Sequence, residues 1–190
     1  MAAETSSSGA VAECRVVVEA GEEFVDGWEV VSINQWDVEQ VRVLILSTAA
    51  LYRIKYKASS GEILHHHRQP LDDICRIQIG RFVFGTFAVA RLFRSAADED
   101  GIVGLRIFSA EHRGGSSLLD EAQPFRTYRA ARAALVDLAS PDALVRSIAD
   151  AILVAQDEAL GRRCTLDEFD IKRSNVLGPL SVVRNKLSGV

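Results

Sequence analysis

The sequence predicts an α+β fold in which six to seven antiparallel strands form a barrel or sandwich that is capped by a helix near the C-terminus. Between residues 28 and 84, short runs of β-branched and aromatic residues alternate with polar turns, which is typical of an antiparallel meander. Near residue 127 the apolar period changes from two to about 3.6, which indicates a helical segment. One strand candidate is apolar on both faces, so we expect it to lie inside the domain.

Six segments have the length and composition of strands, and polar turns separate them. They are residues 28–33, 42–48, 52–57, 63–68, 73–84 and 103–109. In the third segment, apolar residues alternate with bases, which predicts that the two sets lie on opposite faces. The apolar set is Tyr52, Ile54 and Tyr56, and the basic set is Arg53, Lys55 and Lys57.

The second segment contains the uninterrupted apolar run 43–46. Because successive side chains on a strand point to opposite faces, both faces of this strand are apolar. A helix, a second sheet or a second subunit is expected to cover each face. If one face is left over, we expect it to be a protein interface.

The clearest helix signal begins at Ser140-Pro141-Asp142, which supplies a capping hydroxyl, a proline at the first helical position and an acid beside the positive end of the helix dipole. Apolar residues then recur on one face as far as Gly161, which predicts a helix over about residues 142–160. A short helix is predicted over residues 129–138, and an apolar stripe after Pro179 favours a last one. Strands closed by such a helix have the plan of a pleckstrin-homology-like (PH-like) barrel.

Composition limits the class of protein. The chain has 190 residues, 48% of them hydrophobic, which is enough for a buried core, and its formal net charge of −4 argues against nucleic acid as a partner. Three widely spaced cysteines fit a reducing compartment. Neither a signal peptide nor a membrane span is recognisable, so a cytoplasmic location is expected. Residues 1–24 are expected to form a flexible N-terminal tail, and residues 25–190 the domain.

No catalytic, cofactor-binding or metal-binding residue is expected. The run His65-His66-His67 stands out, but adjacent residues on a strand point to opposite faces and do not converge on one metal ion. Cys75 has apolar neighbours within a strand and is expected to pack in the core rather than act as a nucleophile. Paired carboxylates at residues 72–73 and 98–100 lie in turns, which accounts for them without acid–base chemistry.

Over roughly residues 25–190, and most specifically over residues 36–82, the chain resembles the tumour protein p63-regulated gene 1-like family, whose conserved domain also occurs in a Sac-type inositol phosphatase, outside its catalytic domain. The residues that carry the resemblance are Trp36, Glu39, Arg42, residues 43–48, Leu51, residues 54–56, Pro70, Leu71, residues 74–82, residues 104–107 and the ending 177–187. The resemblance implies a PH-like fold, often dimeric, that works as an interaction module without chemistry of its own.

Three of these residues are expected to have a structural role. Trp36 is expected to anchor the turn before the second strand by burying its ring. Glu39 and Arg42 are expected to pair and to orient the entry into that strand.

Two functions remain open. The first is a noncatalytic protein-interaction or scaffold module of a larger cytosolic assembly, cytoskeletal or ciliary, as a homodimer or as one subunit among others. The second is a peripheral membrane adaptor that binds phosphoinositide headgroups through Arg53, Lys55 and Lys57. Binding to anionic vesicles distinguishes the two functions. A membrane adaptor is expected to bind such vesicles and to lose that binding when the charges at those three positions are reversed.

Overall fold

The computed structural model describes residues 9–34, 38–84, 102–110, 125–131 and 140–173, and within them the chain forms two α-helices and nine strands. In chain order they are α1 (Gly9–Cys14), β1 (Phe24–Ile33), β2 (Glu39–Ser47), β3 (Ala50–Lys57), β4 (Glu62–Pro70), β5 (Ile74–Phe84), β6 (Val103–Ser109), β7 (Phe125–Ala130), α2 (Pro141–Leu160), β8 (Thr165–Glu168) and β9 (Ile171–Arg173). Short 3-10 turns occupy Arg15–Val17 and Leu71–Asp73.

The strands form one continuous sheet in the order β4-β3-β2-β1-β7-β6-β5-β8, and β9 pairs with the far end of β5. Strands β1 to β7 pair antiparallel throughout, which confirms the predicted antiparallel fold. Strands β8 and β9 run parallel to β5, and the predicted count of six to seven strands omits them. The short helix predicted over residues 129–138 is wrong at its start, because Arg129 and Ala130 lie in β7; residues 132–139 lie outside the described residues.

Helix α2 begins and ends as predicted. The Ser140 hydroxyl accepts a hydrogen bond from the Ala143 amide at 3.2 Å, Pro141 stands in the first turn, and Gly161 ends the helix with φ of 63°. Its buried face packs on one face of the sheet, which we call the inner face. The inner face carries Trp28, Val30, Leu44, Leu46, Leu51, Ile77, Leu105 and Ile107.

The opposite, outer face of β2 and β3 is covered by the N-terminal segment. Val11 and Cys14 of α1 are buried against a cluster that contains Val43, Ile45, Tyr52 and Ile54. Residues 43–46 of β2 are therefore buried on both faces, as their sequence predicts, and each cover comes from the same chain rather than from a second subunit. The boundary at residue 24 is accordingly wrong for residues 9–24, which belong to the packed domain; residues 1–8 lie outside the described residues.

A polar network fixes the chain between α1 and β1 to the outer face. The buried Glu22 carboxylate accepts hydrogen bonds from the Ser47 hydroxyl, from the Tyr52 hydroxyl at 2.9 Å and from the Arg68 guanidinium. Burial alone would raise the pKa of this carboxyl, but the three hydrogen-bond donors lower the pKa below its ordinary value. The network thus holds residues 19–23 against β3 and β4 by charge as well as by apolar contact.

Several predicted features lie outside the described residues. These are the Trp36 turn, the acidic turn at residues 98–100 and the apolar stripe after Pro179.

Candidate ligand-binding face

The predicted basic residues of β3 lie on the inner face, beyond the part that α2 covers. Tyr52, Ile54 and Tyr56 join the outer cluster, so Arg53, Lys55 and Lys57 lie on the other side, as the alternation predicts. Arg53 is half-buried and stands opposite Leu44 on β2 and His67 on β4. Lys55 and Lys57 are exposed, and Lys55 stands opposite His65.

Arg42 on β2 adds a second half-buried guanidinium to this face. It lies two residues before Leu44, on the same side of the strand, and donates to the Val41 carbonyl at 2.7 Å and to the Gln40 side-chain oxygen. Burial lowers the pKa of Arg42, and the nearby charge of Arg53 lowers it further. Within the described part of the chain, no salt bridge joins Arg42 or Arg53 to a carboxylate.

The expected pair of Glu39 and Arg42 is not the one that the structure forms. Residues three apart on a strand lie on opposite faces, which places Glu39 on the outer side and Arg42 on the inner side. The Glu39 carboxylate instead accepts a hydrogen bond from Arg129 of β7 at 2.6 Å, and both side chains are nearly buried. This ion pair lies beside the β1–β7 pairing, where the strands β1 to β4 join β7, β6 and β5.

Tyr128 also lies on the inner face, and no pattern in the sequence indicates it. It lies on β7 opposite Ser32 of β1 and Leu105 of β6, and only 2% of it is exposed. Burial raises the pKa of its phenol, whereas the charges of Arg53, Arg126 and Arg42 act in the opposite direction.

The Tyr128 hydroxyl has no hydrogen-bond partner among the residues that the structure describes. Leaving a buried donor unpaired costs about 1–3 kcal/mol, so such groups are uncommon in folded proteins. A buried phenol beside several guanidinium groups is suited to donate a hydrogen bond to an anion that the guanidinium groups attract. We call Arg42, Arg53, Lys55, Lys57 and Tyr128 the cationic inner face.

The three histidines separate as predicted. The His66 ring lies 6.5 Å from the Tyr52 ring on the outer side, and His65 and His67 stand opposite Lys55 and Arg53 on the inner side. No group of three His, Cys, Asp or Glu side chains in the described residues is arranged to hold a metal ion.

Cys75 is exposed, which corrects its expected place in the core. The register between β5 and β6 shifts between Ile74 and Arg76, and this irregularity turns the Cys75 side chain outward. Its thiol lies 3.5 Å from the Phe108 carbonyl.

A family model described as "hSac2: Inositol phosphatase" matches residues 1–108, which is more than half of the chain. Among solved structures, the hSac2 domain from human phosphoinositide phosphatase Sac2 is similar at a TM-score of 0.58, with 16% identity over 86% of this chain and 87% of that one. The Vps36 N-terminal PH domain is similar at a TM-score of 0.43, with 15% identity over 77% of this chain and 87% of that one. No curated protein matches the sequence.

The structural likeness concerns the fold. The chain has the PH-like sandwich of antiparallel strands with a helix that its sequence predicts. Among the described residues, no helix combines the length and the apolar composition that a bilayer crossing requires.

Proposed function

The chain belongs to the hSac2 inositol phosphatase family, and on that premise we propose that it is a noncatalytic PH-like recognition module that binds a phosphorylated inositol headgroup at the cationic inner face. One observation carries the proposal. The half-buried guanidinium groups of Arg42 and Arg53, which form no salt bridge with a carboxylate among the described residues, lie near the buried hydroxyl of Tyr128. That hydroxyl has no hydrogen-bond partner among the described residues. A phosphate group supplies a negative charge for the two guanidinium groups and an acceptor for the Tyr128 hydroxyl, neither of which the described residues provide.

The residues on this face differ in what they contribute. Arg42 and Arg53 are partly withdrawn from water, so their attraction for a phosphate is screened less than that of a fully exposed base. Lys55 and Lys57 are exposed and are suited to attract an anionic membrane surface at longer range. Because the whole chain carries a formal net charge of −4, binding must come from this local set of bases rather than from the overall charge.

Vesicle binding tests the proposal. Wild-type protein is expected to co-sediment with phosphatidylcholine vesicles that contain a few per cent of a phosphatidylinositol phosphate, and the Arg53→Glu/Lys55→Glu variant is expected to lose at least about tenfold in affinity, or 1.4 kcal/mol. The matched control is Arg162→Glu/Arg163→Glu, which changes the net charge equally at exposed positions after α2. The control is expected to bind as the wild type does.

Vesicles with phosphatidylserine at the same total charge separate headgroup recognition from bulk attraction. Equal binding to both vesicle types would contradict headgroup recognition. Equal loss in both double variants would contradict a site at the cationic inner face.

A scaffold function is the second candidate, and the edge of β5 favours it, because that strand already holds an extended peptide segment of its own chain. We include in this proposal the cytoplasmic location, the cytoskeletal or ciliary assembly and the homodimer. Narrower membership among the tumour protein p63-regulated proteins is also a proposal, and it rests on the motif from Trp36 to Phe82. The apolar outer face of β2 and β3 is not available for a homodimer while residues 9–18 cover it.

A further inference from the structure

The segment after α2 lies along the edge of β5 as an added, parallel strand. Residues 165–168 pair with residues 76–79, and residues 171–173 pair with residues 82–84. Between the two stretches, the backbone of Phe169 and Asp170 passes directly beside Gly80 of β5, a point that we call the crossing. The chain therefore pairs seven of its own residues with β5 in the way that an extended peptide binds to a sheet edge.

Backbone contacts at the crossing are specific. The Gln78 side-chain amide donates to the carbonyls of Phe169 and Asp170 at 3.2 Å each, and the Phe169 amide donates to the Ile79 carbonyl at 3.1 Å. A Cβ atom on Gly80 would lie 2.0 Å from the Phe169 carbonyl oxygen. Strand β5 thus carries a glycine that admits the backbone of the segment and an amide that holds it.

Side chains of the segment meet complementary groups. Ile171 is fully buried beside Ile33, Phe82 and Ile102. The Asp167 carboxylate lies 3.9 Å from the Arg76 guanidinium.

A second acid meets a second arginine. The Glu168 carboxylate pairs with Arg146 of α2 at 2.7 Å. The groups along the edge of β5 therefore match an extended segment with two adjacent acids and one aliphatic residue. The acids correspond to Asp167 and Glu168, and the aliphatic residue corresponds to Ile171, three positions after the second acid.

Few of these contacts exclude water. Both ion pairs are solvent-exposed, and exposed ion pairs contribute little to stability. Phe169 is 55% exposed, and the two strands have only four and three residues. Ile171 is thus the main apolar anchor, and the segment can leave β5 without opening the cluster between α2 and the inner face.

We propose that the edge of β5 is a docking site for an extended acidic peptide of a partner protein, and that residues 165–173 occupy this site in the isolated chain. The partner segment carries the pattern of residues 166–171, apolar-acid-acid-any-acid-aliphatic, and runs parallel to β5. The partner displaces the segment by making the same contacts.

A synthetic, fluorescein-labelled peptide with the sequence of residues 165–173 tests this on the full chain by fluorescence anisotropy. The wild type is expected to bind it weakly, because the chain's own segment competes, and Ile171→Asp is expected to bind it at least about tenfold tighter, because that change frees the site. The matched control is Phe169→Asp, which adds the same charge at an exposed position and leaves the anchor in place.

The Gly80→Ala/Ile171→Asp variant is expected to lose the tighter peptide binding of Ile171→Asp. The methyl group that the Gly80→Ala change adds would occupy the space beside β5 that the backbone of a bound peptide needs. A peptide with aspartate at its aliphatic anchor position is expected not to bind. Absence of a gain in folded Ile171→Asp, or an equal gain in the double variant, would overturn the proposal.

Hydrogen exchange on the wild type gives an answer even if Ile171→Asp does not fold. Amides of residues 165–171 are expected to exchange at least about a hundredfold faster than those of β6, and added peptide is expected to slow amides of β5. Exchange of the segment at the rate of β6 would show that it is a fixed part of the domain and would overturn the proposal.

Discussion

Val11→Asp is expected to lower the free energy of unfolding by about 4 kcal/mol, because it places an unpaired carboxylate in the cluster between α1 and the outer face. Val11 is 2% exposed and packs in the cluster that contains buried residues of β2 and β3. Even if α1 detaches rather than burying the charge, the free energy of docking the segment is lost. Urea unfolding followed by circular dichroism measures the change.

Val16→Asp is the matched control for this prediction. It makes the same substitution in the same N-terminal segment, but Val16 is 78% exposed. We expect its unfolding midpoint to equal that of the wild type. If both variants are as stable as the wild type, residues 9–18 are not part of the folded domain.

Glu39→Ala is expected to cost about 3 kcal/mol, since it leaves the Arg129 guanidinium buried without its charge partner. Only 10% of the Glu39 side chain and 13% of the Arg129 side chain are exposed, and their oxygen and nitrogen atoms lie 2.6 Å apart. The pair joins the start of β2 to β7, so its loss acts where the two halves of the sheet meet. The free energy of unfolding in urea is the measurement.

Glu168→Ala breaks an ion pair of similar length, 2.7 Å, whose side chains are more than half exposed. Water and salt screen such a pair, so its removal is expected to change stability little. Equal effects of Glu39→Ala and Glu168→Ala would contradict a structural role for the buried pair.

The antiparallel sheet and α2 were predictable because their signals are local. Alternation along β3 assigns each side chain to a face, and the residues around Ser140 and Gly161 supply both caps of α2. The apolar run in β2 also predicts burial on both faces, although nothing local indicates which segment covers each face.

The missed elements depend on distant partners. Strand β7 carries Arg126 and Arg129 on opposite faces, so it has no apolar alternation, and the charge of Arg129 is balanced by a residue ninety positions away. Strands β8 and β9 are too short and polar to have a strand signal of their own, and they form because β5 offers an edge. Segment 9–18 is too short for a stable isolated helix, and it folds on the outer face.

The candidate site was predictable in part for the same reason. The basic residues of β3 are visible in the sequence because they alternate with apolar ones. The sequence predicts an ion pair for Arg42 and does not single out Tyr128, because both become part of the site only when β2, β3 and β7 share one inner face. The Tyr128 hydroxyl, which has no partner among the described residues, is the signal that only the structure provides.

Replacing Tyr128 by phenylalanine tests the cationic inner face most directly. Titration calorimetry of Tyr128→Phe with a soluble inositol phosphate is expected to show about tenfold weaker binding than the wild type, because the variant lacks the hydroxyl that donates to the phosphate. Its free energy of unfolding without ligand is expected to stay equal or rise by about 1 kcal/mol, since the change removes a buried donor that has no partner among the described residues. Unchanged affinity together with reduced stability would mean that the hydroxyl serves the fold and not a ligand.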